Sequence, residues 1–259
     1  MRLDKFLVAT GVGTRSQVKL LLKKKAIFVN QKVETSAKAH IDEYKDLVTY
    51  QGTPLVYESF VYYLLNKPSG YVSATQDRQQ ATVMELLDDT ARQKAVFPVG
   101  RLDKDTRGLL LLTNNGQLAH DLLSPKKHVT KEYLAKVAGI MTEADKDYFA
   151  RGISLKDHQC LPAHLEVFAS DLQQQTSLVK ITIQEGKFHQ VKRMVAACGK
   201  EVLDLQRLSM GPLKLDPSLA EGEFRRLTPE ELQKPGTLLS ELTIKRNLPG
   251  QYTCSIVAK

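Results

Sequence analysis

The chain lacks the features that mark several protein classes. Its 259 residues include no tryptophan and only three cysteines, Cys160, Cys198 and Cys254, none of them in a C-x-x-C pair. An odd number of widely spaced cysteines excludes a disulfide scaffold and is typical of reduced thiols, so we expect a cytoplasmic protein. No apolar run approaches the roughly 20 residues of a membrane helix, and we expect no membrane partner.

Acidic residues are also scarce at one end of the chain. The formal net charge is +8, and the first 58 residues hold ten basic against six acidic side chains. The first 30 residues hold seven basic side chains and one acidic. This asymmetry indicates a polyanion-binding module attached to a nearly neutral body. An acidic membrane surface is the rival partner, but a basic membrane-binding helix usually presents tryptophan or phenylalanine, and tryptophan is absent.

The N-terminal segment has clear local signals. Thr14 and Gln17 have the spacing of a capping box, which predicts a helix from there to about residue 25. Its apolar stripe is Val18, Leu21 and Leu22, and lysines and an arginine cover the remaining surface. The apolar run 26–29 and the turn residues 30–31 predict a small hairpin after this helix. A solvated lysine face is the alternative interpretation of the basic surface.

The pattern MRLDKF…TRSQVKLLLKKKAIFVNQKV resembles the alpha-L RNA-binding motif, the S4-like domain first known from a small-subunit ribosomal protein. The resemblance covers about 50 residues. It implies that seven basic side chains contact RNA phosphates. These are Arg2, Lys5, Arg15, Lys19, Lys23, Lys24 and Lys25.

The body of the chain has a mixed pattern of strands and helices. Residues 62–65 predict a strand that runs into a turn at 66–70, and residues 82–87 predict a helix. Strand-like and helix-like segments do not alternate strictly, which predicts an α+β fold with a mixed, mostly antiparallel sheet. We therefore expect a small basic RNA-binding domain of helices and a β-hairpin over residues 1–58 and a second domain over 59–234. A tail, 235–259, with a strand-like stretch at 252–257, has no assigned role.

One charged loop stands directly against a very apolar strand. The nine residues 100–108, GRLDKDTRG, precede four consecutive leucines at 109–112. A carboxylate held at the edge of a core is a candidate nucleophile or acid–base group. A charged turn that only connects two strands is the alternative.

Three segments in order carry a family resemblance. Residues 100–114, GRLDKDTRGLLLLTN, look like the catalytic motif of RNA pseudouridine synthases. Residues 66–72, NKPSGYV, resemble the first motif of that family, and residues 185–194, EGKFHQVKRM, resemble its third. With the basic N-terminal segment, the arrangement over residues 1–232 is similar to the RsuA family, which modifies ribosomal RNA. Lys192 in the third motif looks more like the small-subunit enzymes, since large-subunit enzymes tend to carry arginine there.

The resemblance implies a set of roles. Pseudouridine formation breaks the N1–C1′ bond of uridine, turns the base and joins C5 to C1′. Asp103 is implied as the catalytic carboxylate, which either attacks C1′ or assists loss of the 2′ proton. Lys192 is implied as the cation that keeps Asp103 ionised, and Tyr133 as the residue that stacks on the base and takes part in the C5 proton transfer.

The same resemblance implies the substrate contacts. Arg101 fits the position that helps to extrude the nucleotide, and Ile181 or Ile183 would form an apolar wall beneath the ring. The reaction involves no redox change, so we expect no cofactor and no metal. His158, Cys160 and His164 are close in sequence but fit no standard zinc spacing.

Two neighbours of these residues receive secondary roles. Asp105 is the obvious rival to Asp103, and we interpret it as structural. His189, in the third motif, is interpreted as a structural histidine or an RNA contact rather than a general base. Tyr133 could otherwise be an ordinary core residue on an alternating strand.

These observations predict an isomerase that converts a specific uridine of 16S ribosomal RNA to pseudouridine. Its partner would be small-subunit ribosomal RNA, free or in an assembly intermediate, and we expect a monomer. A large-subunit (23S) enzyme of the same family is one alternative. A non-catalytic RNA-binding assembly factor is the other, although such a protein has no need of Asp103, Tyr133 and Lys192.

Overall fold

The computed structural model describes residues 1–228 and Glu231. The chain divides into two units, Met1–Ser59 and a second one beginning at Phe60, and each is described by itself. The predicted tail 235–259 and its strand at 252–257 lie outside the described residues. The domain limits taken from the sequence, 1–58 and 59–234, stay predictions. Within the described part of the chain, no helix is long and apolar enough to cross a membrane.

The first unit consists of two helices and a four-stranded antiparallel sheet of order β2-β1-β3-β4. Its elements are α1 (Leu3–Ala9), α2 (Arg15–Lys23), β1 (Ile27–Val29), β2 (Lys32–Val33), β3 (Val48–Tyr50) and β4 (Thr53–Pro54). Phe6, Val18, Leu22 and Ile27 are buried in a core shared by both helices and the sheet. The basic residues are therefore left on the surface.

Local signals explain the first unit. The side chain of Thr14 accepts a hydrogen bond from the Gln17 N–H, and the Gln17 side chain accepts one from the Thr14 N–H at 2.8 Å. This reciprocal cap satisfies two amides that the helix itself cannot pair. Asn30 and Gln31 both have positive φ, 49° and 66°, which is the two-residue turn that joins right-twisted strands. The predicted helix and hairpin are confirmed, and the helix ends at Lys23.

The second unit is built around a nine-stranded mixed sheet. Its elements are β5 (Tyr62–Lys67), α3 (Asp89–Gln93), β6 (Phe97–Pro98), β7 (Arg107–Thr113), α4 (Gly116–Leu123), β8 (Lys131–Ala138), α5 (Glu143–Arg151), β9 (His164–Asp171), β10 (Thr176–Ile183), α6 (Gln190–Ala197), β11 (Glu201–Met210), β12 (Leu213–Lys214) and β13 (Phe224–Arg226). Short 3₁₀ helices cover Val83–Leu86 and Pro125–Lys127.

The main path through the sheet is β13-β5-β7-β11-β8-β10-β9, with β6 paired to β7 and β12 to β11. Every pairing is antiparallel except that of β7 with β11. The predicted α+β class with a mostly antiparallel sheet is confirmed. The sheet therefore has an N-terminal half around β5 and β7 and a second half around β8, β10 and β11, joined at one parallel seam.

Two expectations about local structure are corrected. The sequence pattern predicts a strand at 62–65 that gives way to a turn at Asn66, but β5 continues through Lys67 because both residues pair with β7. The helix predicted over residues 82–87 is a single 3₁₀ segment, Val83–Leu86, with a capping box between Thr82 and Glu85. Pairing with β7 therefore places Asn66 and Lys67 in the sheet rather than in a turn.

The seam between β7 and β11 requires glycine at position 108. Only Gln206 with Arg107 and Arg207 with Gly108 are paired across it. Gly108 has a φ of 96°, and a β-carbon there would collide with the carbonyl oxygen of Arg207 and lie 2.8 Å from its amide nitrogen. The buried side chain of Arg207 donates from Nε to the carbonyl of Leu109 at 2.8 Å, where the two strands have begun to separate.

We predict that Gly108→Ala lowers the free energy of unfolding by about 3 kcal/mol or more, because the new methyl group meets rigid backbone and the positive φ strains alanine. Urea unfolding followed by circular dichroism measures this change. Gly116→Ala is the matched control: Gly116 begins α4 with an ordinary φ, and its β-carbon would meet no described atom within 4 Å. An equal loss in both variants would contradict the seam argument.

Candidate active site

The loop between β6 and β7 carries Asp103, and it is held by the last residue of β5 and by residues that follow this strand. Lys67 is fully buried, and its Nζ donates to the carbonyls of Pro68 (3.0 Å), Asp103 (3.1 Å), Lys104 (3.1 Å) and Thr106 (2.8 Å). Three of these four carbonyls belong to the Asp103 loop. Burial lowers the pKa of Lys67 to about 8, so the ammonium form with its three N–H donors still predominates at neutral pH.

Further contacts join the same two segments. The N–H of Gly70 donates to the carbonyl of Lys104 at 2.9 Å. The hydroxyl of Ser73 accepts from the N–H of Leu102 and donates to the carbonyl of the same residue, both at 3.0 Å. The segment that resembles the first family motif therefore serves as the support of the segment that resembles the catalytic motif.

Asp103 and Lys192 are brought together although 89 positions separate them in the sequence. Lys192 Nζ lies 3.3 Å from Oδ2 of Asp103 and 2.6 Å from Oδ1 of Asp105. Burial alone would lower the pKa of Lys192, but the hydrogen bond to Asp105 and the charges of both aspartates raise it above its usual value. The same hydrogen bond holds the pKa of Asp105 below its usual value. Lys192 is thus a charged group shared by two carboxylates.

His189 completes the surroundings of Asp103. Its Nε2 lies 3.4 Å from Oδ1 of Asp103, and its backbone is left-handed, with a φ of 47° and a ψ of 33°. It immediately precedes α6, the helix that carries Lys192. This backbone turn directs the imidazole towards the same carboxylate that Lys192 approaches on its other oxygen.

Tyr133 and the two isoleucines lie on the neighbouring strands β8 and β10. Tyr133 pairs directly with Ile181, and Ile183 pairs with Lys131 two positions along. All three side chains are buried in one core that also contains Leu102, the residue before Asp103. Tyr133 and the two isoleucines therefore pack in the same core as Leu102 of the Asp103 loop.

The remaining predicted residues occupy the surface. Arg101 is exposed and forms no side-chain hydrogen bond or ion pair with any described residue. In the first unit, all seven predicted RNA-contacting side chains are exposed. Arg15, Lys19 and Lys23 are spaced by four residues along α2 and so share one helix face. Arg2 differs from the others, since it pairs with Asp4 at 2.6 Å.

Two other features surround α6. A cleft of about 350 Å³ lies beside Lys192 and is lined by Asp105, His189, Arg193, Ala196, Lys200, Glu201 and Val202. Ligand atoms of His158, Cys160 and Glu185 lie within 4.8 Å of one another. His164, which the sequence places near the first two, is not in that group. Glu185 accepts from Gln190 at 2.6 Å and from the Leu161 N–H at 2.9 Å, so it also anchors the loop before α6.

Sequence reasoning underestimated three residues. The sequence pattern predicts a turn at Lys67, yet this residue is the last one of β5, where it follows four apolar strand residues and Asn66. Asp105 was assigned a structural role, and it makes a shorter contact with Lys192 than Asp103 does. His189 is interpreted as a structural histidine or an RNA contact, and its Nε2 lies 3.4 Å from Oδ1 of Asp103. The last two depend on contacts between distant segments that spacing does not reveal.

The fold and this arrangement define an enzyme with a carboxylate and a lysine at the edge of an apolar core, preceded by a small basic domain. Comparison with known proteins gives the same class: a profile described as RNA pseudouridylate synthase matches residues 61–197, and one described as S4 domain matches residues 1–43. The chain belongs to the RNA pseudouridylate synthase family and is an isomerase. Within that family it falls in the RsuA/RluB group, whose members carry an N-terminal S4 domain.

Several relatives cover nearly the whole chain. The uncharacterized RNA pseudouridine synthase YtzG of Bacillus subtilis is 46% identical over 90% of this chain and 97% of its own length. Ribosomal small subunit pseudouridine synthase A of Escherichia coli is 37% identical over 90% and 98% of the two chains. Ribosomal large subunit pseudouridine synthase B of Bacillus subtilis is 38% identical over 90% and 94%.

A solved structure agrees with the assignment. The crystal structure of a pseudouridylate synthase superimposes with a TM-score of 0.62 at 37% identity, covering 90% of this chain and 99% of its own. The similarity to small-subunit and large-subunit enzymes is nearly equal, so identity alone does not separate the two substrates.

We predict that Lys67→Met lowers the free energy of unfolding by about 2 kcal/mol or more, because buried carbonyls of the Asp103 loop lose their donor. Denaturant unfolding measures the loss, and faster amide hydrogen exchange over residues 100–108 locates it. Lys104→Met, at an exposed position of the same loop, is the control and should change stability by less than about 0.5 kcal/mol. Unchanged exchange in Lys67→Met would contradict the anchoring role.

Proposed function

We propose that the protein converts one uridine of 16S ribosomal RNA to pseudouridine, with Asp103 as the catalytic carboxylate. The observation that carries the proposal is the pairing of Asp103 with Lys192 at the edge of the core that contains Tyr133. The charged form of a carboxylate is required both for attack on C1′ and for removal of the 2′ proton, and the partly buried ammonium of Lys192 lies 3.3 Å from Asp103.

The proposed reaction has three stages. The target uridine leaves its stack, with Arg101 occupying the space that it vacates in the RNA. The N1–C1′ bond then breaks, and the detached uracil is held between Tyr133 and the wall formed by Ile181 and Ile183 while it turns. Finally C5 bonds to C1′, the C5 proton is transferred with the help of Tyr133, and N1 takes up a proton. Atoms and charge balance without a cofactor, so none is proposed.

Lys192 supports the choice of the small subunit. Large-subunit members tend to carry arginine at this position, and arginine would pair with a carboxylate through two parallel hydrogen bonds. Lysine is a point charge, which can contact two carboxylates at once, as it does here with Asp103 and Asp105. Relatives named for the small subunit and for the large subunit are about equally similar to this chain, so the choice of the small subunit rests on Lys192.

The first unit supports ribosomal RNA as the partner. Arg15, Lys19 and Lys23 line one face of α2, and Lys24 and Lys25 continue the positive charge beyond its end. None of these five cations forms an ion pair with a described residue, so each is available to a phosphate. We propose that this surface binds the RNA backbone, and that the protein acts as a monomer.

We predict that the purified protein forms pseudouridine at one site of small-subunit RNA, and that Asp103→Asn reduces the rate to below about 10⁻³ of wild type. Asp105→Asn is the matched control in the same loop and should reduce the rate less than about tenfold. Mapping by carbodiimide modification and primer extension, on free RNA and on small subunits, measures both.

Three outcomes separate the hypotheses. Modification of large-subunit RNA alone would replace the proposed substrate and leave the role of Asp103 intact. An Asp103→Asn variant as active as wild type would refute that role. A wild-type chain that binds RNA tightly but modifies neither RNA would favour the non-catalytic assembly factor.

We also predict that alanine at Lys23, Lys24 and Lys25 reduces the salt dependence of RNA binding. Each lost phosphate contact should lower the slope of log K against log salt by about 0.7–0.9, and three contacts by about 2–3. The control variant replaces Lys32, Lys38 and Lys45 by alanine. It removes the same charge from the same unit, but away from the C-terminal end of α2. Equal slopes in the two triple variants would show that only net charge matters.

A further inference from the structure

Phe188 is the most exposed large apolar side chain in the described part of the chain, with 75% of its surface accessible. It lies in the loop between β10 and α6, one residue before His189. Exposed apolar side chains are common on proteins, so exposure alone does not indicate function. Phe188, however, lies next to His189, which approaches Asp103.

The ring of Phe188 is stacked on that of His189, with centroids 3.8 Å apart and planes inclined by 19°. His189 in turn reaches Asp103, with 3.4 Å between Nε2 and Oδ1. Phe188 therefore contacts the residue that approaches Asp103, and one imidazole ring separates the phenyl ring from the carboxylate. Since His189 covers one face of the phenyl ring, the accessible area belongs to the opposite face and the edges.

The loop that carries Phe188 is held firmly from below. The side chain of Gln190, which is buried, accepts from the Lys187 N–H at 2.9 Å and donates to Glu185 at 2.6 Å. Glu185 also accepts the N–H of Leu161 at 2.9 Å. Arg193 donates to the carbonyl of Phe188 at 3.4 Å and pairs with Asp157. An aromatic ring presented by a preorganised loop loses little conformational entropy on binding.

We propose that the outward face of Phe188 is a stacking platform for a nucleobase adjacent to the uridine that reacts. The proposal rests on the RNA substrate proposed above and adds a binding site for the flanking nucleotide. When the target uridine leaves the stack, its neighbour loses a stacking partner, and the phenyl ring replaces it. Aromatic rings accept any base in this way, because every base has a π face.

The flanking base fits this site better than the target uracil does. Tyr133 and Ile181, which are proposed to hold the uracil, are buried, whereas Phe188 faces solvent. The side chains of Lys187, next to Phe188, and of Arg101, in the Asp103 loop, are both exposed. An exposed ring with cations nearby is the composition of a single-stranded nucleic-acid surface, where bases stack and phosphates meet positive charge.

The test measures binding separately from catalysis. The probe is a short RNA centred on the mapped uridine, with 2-aminopurine as either its 5′ or its 3′ neighbour. Binding is followed by anisotropy and 2-aminopurine fluorescence in the Asp103→Asn background, where the RNA stays unmodified. The variants are Phe188→Ala and Phe188→Trp. Phe168→Ala is the matched control, since Phe168 is a half-exposed phenylalanine on the edge strand β9.

We expect quenching of 2-aminopurine at one of the two neighbouring positions. Phe188→Ala should abolish that quenching and weaken binding by about 5- to 150-fold, while Phe188→Trp retains both and Phe168→Ala changes neither. With Asp103 intact, Phe188→Ala should raise KM more than it lowers kcat, because stacking of a flanking base contributes to ground-state and transition-state binding alike.

Two results would overturn the platform. One is unchanged affinity and quenching in Phe188→Ala. The other is a loss confined to kcat with the affinity intact, which would mean that Phe188 only supports His189 against Asp103. If the modified uridine lies in large-subunit RNA, the same probe is made from that sequence. The small-subunit proposal then fails while the platform is still decided by quenching, so the two failures are distinguishable.

Discussion

The ammonium group of Lys67 donates hydrogen bonds to four carbonyl oxygens, and the geometry of the active site depends on it. A buried charge is costly unless polar partners surround it, and a loop with carbonyls turned inward is costly unless donors meet them. The carbonyl oxygens offset the cost of burying the ammonium, and the ammonium supplies the donors that these oxygens require. Because the carbonyl of Asp103 is one of the four acceptors, Lys67 holds the backbone of the proposed catalytic residue in place.

This fixed loop presents two carboxylates to one lysine. Asp105 makes the shorter contact with Lys192, at 2.6 Å, and Asp103 the longer one, at 3.3 Å. Asp105 is held in a short hydrogen bond, whereas both oxygens of Asp103 make longer contacts, one with Lys192 at 3.3 Å and one with His189 at 3.4 Å. This difference follows from the loop, which places both carboxylates within reach of the same helix, α6.

Local parts of this structure could be predicted from the sequence, and long-range parts could not. The capping box at Thr14 and the turn at Asn30 are decided by residues within a few positions, so spacing was sufficient. The continuation of β5 through Lys67 depends on pairing with β7, some 40 positions later, and composition suggested a turn instead. The left-handed conformation of His189 has no sequence signal of its own, since only a small share of non-glycine residues adopt it and the residue type does not say which.

The same distinction applies to the candidate site. A family resemblance could propose Asp103, Tyr133 and Lys192 as a set, but it gave no information about the residues that hold them. Lys67 and Asp105 act through contacts between segments that only the folded chain brings together. The register of β8 against β10, which places Ile181 opposite Tyr133, is likewise a property of the whole sheet rather than of either strand.

The parallel seam that divides the sheet also separates the proposed catalytic residues into two groups. Asp103 belongs to the half built around β5 and β7, and Lys192 and Tyr133 belong to the half built around β8, β10 and β11. Only two residue pairs join β7 to β11, and the ion pair of Arg107 with Asp204 reinforces them at 2.6 Å. Neither half contains all of the proposed catalytic residues. Assembly of the two halves during folding therefore brings Asp103 and Lys192 together, and a chain in which the seam has not formed has every proposed catalytic side chain but not their pairing.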